Sequence, residues 1–387
     1  MRIGVLGGGQ LGRMLGLAGG PLGFSFAFLD PAEECPAAAT GSWIRASFDD
    51  PDALRELASR SDLVTYEFEN VPLAAVQAIA ELRPVHPSAV SLEAAQDRLN
   101  EKALFRRLDI PTPRFETVSG GVELAGAVER LGRPAVLKTR RMGYDGRGQR
   151  VLSGPGDLAS ALAALGEGQL LLEQHIPFER ELSVVAVRGR SGEIAFYPPI
   201  ENHHRGGILR LSWAPAPGLT PALRSLADDY ARSLMEALGH VGVLALELFQ
   251  SDGGLLANEM APRVHNSGHW TIEGAVTSQF ENHLRAIAGL PLGATDVPGP
   301  CAMVNLIGEV PDLARAADLP GTHVHLYGKR ARPERKLGHI TFCADDPETL
   351  SLRLATVWPL LGRAAGPLPT IGGGAVREPR CGGLPTN

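Results

Sequence analysis

The sequence predicts a mixed α/β and α+β protein of several domains, and three observations predict it. A β-α-β alternation runs from Arg2 to Leu82, the prolines of Pro84-Val85-His86-Pro87 break it, and short strands and helices in a less regular order fill the remainder. With 387 residues the chain exceeds what one hydrophobic core spans, because domains cluster at about 100–150 residues.

Residues 2–6 read as a strand, 10–18 as a helix, 24–29 as an apolar strand ending in Asp30, 62–68 as a further strand and 73–82 as a helix. That order predicts a parallel sheet with ligands at the carboxyl ends of its strands. Beyond the prolines a charged amphipathic helix is expected over about 96–108. Strands at 114–118, 134–138, 149–152 and 169–173, with helices at 122–131 and 156–165, form a small α+β unit. Strands at 181–188, 193–197 and 207–213, a helix at 221–238, a hairpin at 242–260 and a helix at 278–288 form a larger one. The Pro/Gly-rich stretch Gly289 to Pro300 reads as a linker to a strand at 301–307, a helix at 312–317, strands at 322–327 and 338–343 and a helix at 347–361. The expected domains are 1–95, 96–290 with a small subdomain at about 112–176, and 291–367, followed by a flexible Gly/Pro-rich tail at 368–387.

The 37 Lys and Arg against 43 Asp and Glu leave a net charge of −6 and no global positive field to gather nucleic acid. Cys35, Cys301, Cys343 and Cys381 include no CxxC pair, which argues against a zinc knuckle or a disulfide framework. The chain begins at once with the strand-like Ile3-Gly4-Val5-Leu6 and holds no uninterrupted apolar run of bilayer length. A cytoplasmic protein without a membrane partner is expected.

Gly7-Gly8-Gly9-Gln10-Leu11-Gly12 satisfies GxGxxG between a strand and a helix, and Asp30 ends the next strand where a ribose-binding acid belongs. A dinucleotide site and a tight β-to-α turn without ligand are equally open, since glycines let a backbone approach any phosphate or sugar. The hairpin is more specific. Leu244 to Phe249 alternates Glu247 with apolar residues, turns at Ser251-Asp252-Gly253-Gly254 and returns as Leu255 to Met260. A three-residue loop puts Glu247 opposite Glu259 on one face; a two-residue loop sends them to opposite faces. Facing carboxylates repel by roughly 4 kcal/mol at about 4 Å and an effective dielectric of 20, which a divalent cation would relieve, and oxygen ligands suit magnesium.

Pro134 to Lys138 is an apolar strand that ends in a lysine, and the glycine-rich Arg140 to Gln149 follows it, so Lys138 and the loop's N–H groups can take a phosphate. A plain basic hairpin is the alternative. The strand from Gln169 to Glu173, with Gln174, His175 and Ile176, offers backbone to an adenine edge, and Glu181 to a ribose.

These motifs combine with Thr65 to Val71, Gln96-Asp97-Arg98, Ala261 to Trp270 and Met303 to Gly308. Together they resemble the N5-carboxyaminoimidazole ribonucleotide synthetase family over residues 1 to about 343. The resemblance implies an ATP-grasp fold with an N-terminal Rossmann-like domain and a small C-terminal α+β domain, usually dimeric. The implied reaction uses ATP, magnesium and bicarbonate to carboxylate 5-aminoimidazole ribonucleotide. Implied ATP contacts are Arg98, Lys138, Gly143, Tyr144, Asp145, Gly146, Arg147, Gly148, Gln149, Glu173, Gln174, His175, Ile176, Glu181, His204 and Asn258, with Glu247 and Glu259 as magnesium ligands. Implied substrate contacts are Gln10, Leu11, Glu67, Asn266, Lys329, Arg335 and Lys336.

Arg263 and His265 are candidates for holding a carboxyphosphate intermediate, and Asp145, oriented by Arg147, for taking the proton of the attacking amine. The cluster Lys329, Arg330, Arg332, Arg335 and Lys336 can hold the 5′-phosphate or remain a solvated basic loop. An NAD-dependent dehydrogenase built on Gly7 to Asp30 and a non-catalytic ATP sensor are the rival readings.

Overall fold

Apolar runs bounded by glycines set the first layer. In the computed structural model, which describes residues 1–143, 145–362 and 365–372, β1 (Arg2–Leu6), α1 (Gln10–Gly19), β2 (Ser25–Leu29), β3 (Ser42–Ile44), α2 (Pro51–Arg60), β4 (Leu63–Tyr66) and α3 (Leu73–Ala80) make a parallel sheet in the order β3-β2-β1-β4. The sequence reading omitted β3 and α2. A three-residue strand is too short to show a period, but α2 carried a signal: Asp50 caps the N–H groups of Asp52 and Ala53 ahead of Pro51 at the first helical position.

The helix expected over 96–108 is α5 (Arg98–Arg107); a further helix that was not foreseen, α4 (Ala89–Gln96), precedes it, and the chain bends between them at Asp97 with φ −127° and ψ 115°. Asp97 caps α5 through Leu99 N at 3.0 Å, and its carboxylate also takes Arg140 Nε at 2.9 Å and Nη2 at 2.7 Å. The kink therefore ties α5 to the start of the glycine-rich loop.

A small antiparallel sheet follows from β5 (Phe115–Val118), α6 (Gly121–Leu131), β6 (Ala135–Thr139), β7 (Gln149–Leu152), α7 (Asp157–Leu165) and β8 (Leu170–Gln174), in the order β5-β8-β6-β7. It has its own core of Leu124, Val128, Leu137, Leu152 and Leu172.

The third sheet has nine strands. β9 (Arg180–Arg188), β10 (Ile194–Phe196), β11 (Ile200–Arg205) and β12 (Ile208–Ala214) precede α8 (Pro221–Ala237), and the hairpin β13 (Gly242–Ser251) and β14 (Gly254–Ala261) precedes α9 (Thr271–Gly274) and α10 (Gln279–Ala288). β15 (Cys301–Ile307), α11 (Leu313–Ala317), β16 (Thr322–Leu326), β17 (Lys336–Cys343) and α12 (Pro347–Val357) complete it. The order is β14-β13-β9-β11-β12-β15-β17-β16, with β10 on β9, so the sheet continues past the expected linker through the β12–β15 pairing. β11 was not foreseen, because the polar Glu201-Asn202-His203-His204 behind two prolines hides a buried strand. Cys301 and Cys343, both free thiols, face each other across β15 and β17.

β13 is apolar on both faces: Leu244, Leu246 and Leu248 pack with α8, while Val243 and Ala245 share a core with Ile3, Leu15 and Phe28 of the first domain. Two buried histidines join these domains. His283 Nδ1 accepts from Val243 N at 3.1 Å, which leaves Nε2 to donate to Thr65 Oγ1 at 3.0 Å. His240 lies 3.1 Å from Ser91 Oγ and 3.0 Å from Val243 O. Among the described residues no helix is long and apolar enough to cross a membrane.

Burial pushes His240 down to about 4 and His283 to about 3, so the folded protein holds both neutral while the unfolded chain protonates near 6.5. The unfolded state then binds more protons below that point, and the stability held above about pH 6.5 falls as pH drops toward about 4. His240→Gln should flatten the slope of the urea midpoint against pH in that window. An unchanged slope would show that these imidazoles do not titrate on unfolding.

Candidate functional site

The turn between β13 and β14 is shorter than the reading that favoured a facing pair supposed. Ser251 pairs with Gly254, and Asp252 and Gly253 turn with φ 51° and 73°, a two-residue loop of the kind that fits strand twist. Continued regularly, that loop would put Glu247 opposite Asn258 and turn Glu259 to the other face. A β-bulge prevents this: Leu248 pairs with Ala257 but Glu247 pairs with Glu259, so Asn258 is the extra residue. The burial pattern records the change of phase. Leu255 and Ala257 lie in the α8 core, and after the bulge Met260 lies there while Ala261 joins the opposite core. The expected pairing thus holds, by a bulge rather than by a three-residue loop.

The two carboxylates differ electrostatically. Burial and the Glu259 charge push the Glu247 carboxyl above its usual range. Burial acts the same way on Glu259, but Arg98 Nη1, 2.8 Å from its Oε2, outweighs it and holds Glu259 below the usual range. The donors are hard oxygens, and the buried Oδ1 of Asn258 has no hydrogen-bond partner among the described residues. That set fits magnesium rather than a soft metal. Among the described residues no three His, Cys, Asp or Glu side chains converge as a complete metal cage.

Cations surround the pair. Lys138 Nζ, at the end of β6, lies 2.9 Å from Glu173 Oε2, and Glu173 Oε1 is buried with no hydrogen-bond partner among the described residues. Gln174, His175 and Ile176 follow on a half-buried segment, where Gln174 accepts from Arg114 Nε at 3.1 Å. His204 Nδ1 lies 2.9 Å from Glu181 Oε2; burial opposes its charge, but Glu181 prevails and raises it to about 9. His203 instead meets Glu201 at 2.9 Å, so of the two neighbours His204 is the one beside Glu181. A second β-bulge, between these histidines, separates them.

The loop after β6 meets the β11–β12 turn: Gly146 and Gly207 approach so closely that a Cβ on Gly146 would come 2.8 Å from Gly207 Cα. Asp145, Gly146 and Gly148 all have positive φ. Gln149 begins β7, and Gly143 passes beside Arg98. Tyr144 lies outside the described residues. The expected Asp145–Arg147 pairing is replaced: Lys336 Nζ lies 2.6 Å from Asp145 Oδ1, and Arg147 reaches Glu334 at 3.6 Å. The ammonium comes from β17 in the nine-stranded sheet, and the Arg147 side chain is 60% exposed.

The glycine-rich turn is closed from within. Glu67 accepts from Gly9 N and, at 2.5 Å, from Gly12 N, and Asp30 Oδ2 accepts from Gly8 N at 2.6 Å. The amides that would cradle a dinucleotide pyrophosphate are taken by the protein's own carboxylates, and Asp30 is spent on the turn instead of a ribose. This overturns the dinucleotide reading. Gln10 meets Lys329, whose ammonium burial lowers to about 8, while Leu11 faces the core, so only its backbone is available. Arg335 lies 3.1 Å from Glu34.

Arg263 binds Glu69 of the loop after β4, and His265 Nε2 stands 3.5 Å from Glu247 Oε1. His265 Nδ1 faces Ser267, and burial followed by Arg263 lowers this imidazole to about 3. Asn266 exchanges amide hydrogen bonds with Asn305 at 3.1 and 2.7 Å. The sequence reading missed Glu69, Asp97, Glu101 and Lys102. The run Asp97-Arg98-Leu99-Asn100-Glu101-Lys102 was readable as a charged helix, but not which of its charges are buried.

Glu247→Gln removes one of two facing charges. It should stabilise the protein in chelator by about 0.5–1 kcal/mol, read as a raised thermal midpoint. A lowered midpoint would mean that the pair is not repulsive.

Three family models match the chain: a ribonucleotide synthetase preATP-grasp domain over residues 1–96, an ATP-grasp domain over 103–280 and a phosphoribosylaminoimidazole carboxylase C-terminal domain over 301–353. The N5-carboxyaminoimidazole ribonucleotide synthase of Pseudomonas aeruginosa is 53% identical over 361 residues, 93% of this chain and 99% of that protein. The crystal structure of the synthetase from Thermus thermophilus aligns with TM-score 0.89 and 55% identity, covering 93% of this chain and 98% of that one. The Aspergillus clavatus synthase in complex with ADP and 5-aminoimidazole ribonucleotide aligns with TM-score 0.85 and 34% identity, covering 93% and 97%. With these matches spanning its three sheets, the chain belongs to the N5-carboxyaminoimidazole ribonucleotide synthase family of ATP-grasp enzymes.

Proposed function

We propose that this chain is an ATP-dependent ligase that carboxylates 5-aminoimidazole ribonucleotide with bicarbonate, giving N5-carboxyaminoimidazole ribonucleotide, ADP and phosphate in purine biosynthesis. The observation that carries the reading is the facing pair Glu247 and Glu259, with Arg98 on one carboxylate and His265 near the other. The relatives support it, among them one with ADP and 5-aminoimidazole ribonucleotide bound. The reading includes a homodimer, the form that the family resemblance implies, in the cytoplasm, the compartment expected from the scattered cysteines.

In this proposal Glu173 to Ile176 border the adenine, Glu181 the ribose, and Arg98, Lys138, protonated His204, Asn258 and the 143–149 loop the phosphates. Magnesium held by Glu247 and Glu259 would neutralise triphosphate charge. Bicarbonate is a poor electrophile, so its oxygen attacks the γ-phosphorus and ADP leaves, giving carboxyphosphate. Arg263 supplies fixed positive charge to that anion, and neutral His265 a donor from Nε2. The 143–149 loop excludes water from this labile species, with Arg147 contributing charge at its rim.

The exocyclic amine then attacks the carboxyl carbon, or the CO2 released from it, phosphate departs, and Asp145 accepts the amine proton. Lys336 orients Asp145 at 2.6 Å. Lys329, Arg335 and Lys336 meet the 5′-phosphate, with Gln10, the Leu11 backbone, Glu67 and Asn266 bordering the ribonucleotide.

The deciding assay is ADP release with ATP, magnesium and bicarbonate, with and without 5-aminoimidazole ribonucleotide. Turnover should require the ribonucleotide and yield a carboxylated product; ribonucleotide-independent release, or none, contradicts the proposal. Lys336→Ala should raise the ribonucleotide KM or suppress ribonucleotide-dependent turnover by about 10-fold or more while ADP binding persists. Unchanged kinetics would remove Lys336 from the mechanism. Glu259→Gln should lower magnesium-dependent turnover on the order of 100-fold, and full activity in that variant is incompatible with a required ligand.

A further inference from the structure

The bulge that aligns Glu247 with Glu259 leaves backbone groups outside the ladder, on an edge strand that pairs only with β13. An unpaired buried backbone group is costly, so a bulge persists only where something else satisfies it. Here α5 does so with two adjacent side chains that the reaction itself does not use. Glu101 Oε1 accepts from Met260 N at 2.6 Å. Lys102 Nζ donates to Asn258 O at 2.7 Å, to Ala257 O at 3.4 Å and to Thr112 Oγ1 at 3.0 Å. Thr112 Oγ1 in turn donates to Ala257 O at 2.7 Å, and Ala257 N donates to Pro111 O at 2.7 Å.

The outer edge of β14 from Ala257 to Met260 is therefore bound on both sides of the extra residue. Glu101 is 2% exposed and Lys102 is fully buried, so neither side chain is a solvated surface charge. Lys102 also lies 3.7 Å from Glu173 Oε2, which links the bulge to the strand β8 that leads to His175 and Ile176. Arg98, one turn earlier on α5, holds Glu259 itself.

We propose that Glu101 and Lys102 are positioning residues that fix the register of the two cation-binding carboxylates by holding the Asn258 bulge from α5. The proposal rests on the reading of Glu247 and Glu259 as the magnesium pair. It goes beyond that reading by assigning the alignment of the pair to a neighbouring helix. Lys102 acts by donating hydrogen bonds to the strand, not by touching nucleotide or cation. A register slip of one residue exchanges the faces of a strand, so a loosened bulge misplaces Glu259 without removing it.

The test uses the full chain and measures ADP binding by calorimetry with and without Mn2+, together with hydrogen exchange of a peptide covering residues 255–262. Lys102→Met, which keeps the bulk and removes the donors, should weaken ADP binding in Mn2+ by roughly 10-fold or more. Metal-free ADP binding should stay near wild type, and exchange in 255–262 should quicken. Lys102→Arg should restore both readouts, and Thr112→Val should show the same pattern in smaller measure. Wild-type values in Lys102→Met, or an equal loss with and without Mn2+, overturn the proposal. If Lys102→Met does not fold, Thr112→Val decides on the same readouts, and wild-type values there overturn it. Glu259→Gln serves as the reference: if it keeps the Mn2+ effect, the cation reading fails. If it loses the effect while Lys102→Met retains it, only the positioning role fails.

Discussion

Two carboxylates held face to face on one hairpin are the constraint around which this molecule is arranged. Left alone they repel, and a regular ladder from the Asp252-Gly253 turn would separate them by turning Glu259 into the α8 core. Burying an unpaired carboxylate there would cost several kcal/mol, so the core itself favours the bulged register. Arg98 then fixes one member of the pair as an anion and leaves the other pushed toward its neutral form. A divalent cation held between them, as proposed, would relieve that repulsion.

The first domain contributes by occupying its own glycine turn. Glu67 and Asp30 take the amides of Gly8, Gly9 and Gly12, so a motif associated with dinucleotides becomes a rigid corner. That corner brings Gln10 to Lys329, while Glu69 just beyond it meets Arg263. The buried His240 and His283 hold the same domain against β13, the strand that carries Glu247. Domain docking and site geometry are thus set by shared backbone.

Most helices and strands were legible because their apolar periods are strong, as in Leu244 to Phe249 and in α8. What the sequence hid was contact across long separations. GxGxxG followed by Asp30 satisfies two chemistries equally, and only the return of Glu67 onto the amides decides between them. The facing of Glu247 and Glu259 was anticipated through the wrong loop, because a bulge is invisible to a strict period of two. Lys102 looked like any helix-surface lysine, since burial of a charge depends on what packs over it. The wrong partner for Asp145 has the same origin: Arg147 is two residues away in sequence, whereas Lys336 arrives from β17.

That last contact ties the C-terminal strands of the nine-stranded sheet to the glycine-rich loop. Lys336 begins β17, which pairs with β15, which pairs with β12, whose turn from β11 receives the glycine loop at Gly207. The loop is therefore held at two points, by backbone contact at Gly146 and by the ion pair at Asp145, and both lead back to one continuous sheet. An arginine within the loop could not provide that tie, because it would travel with Asp145 instead of anchoring it to another domain.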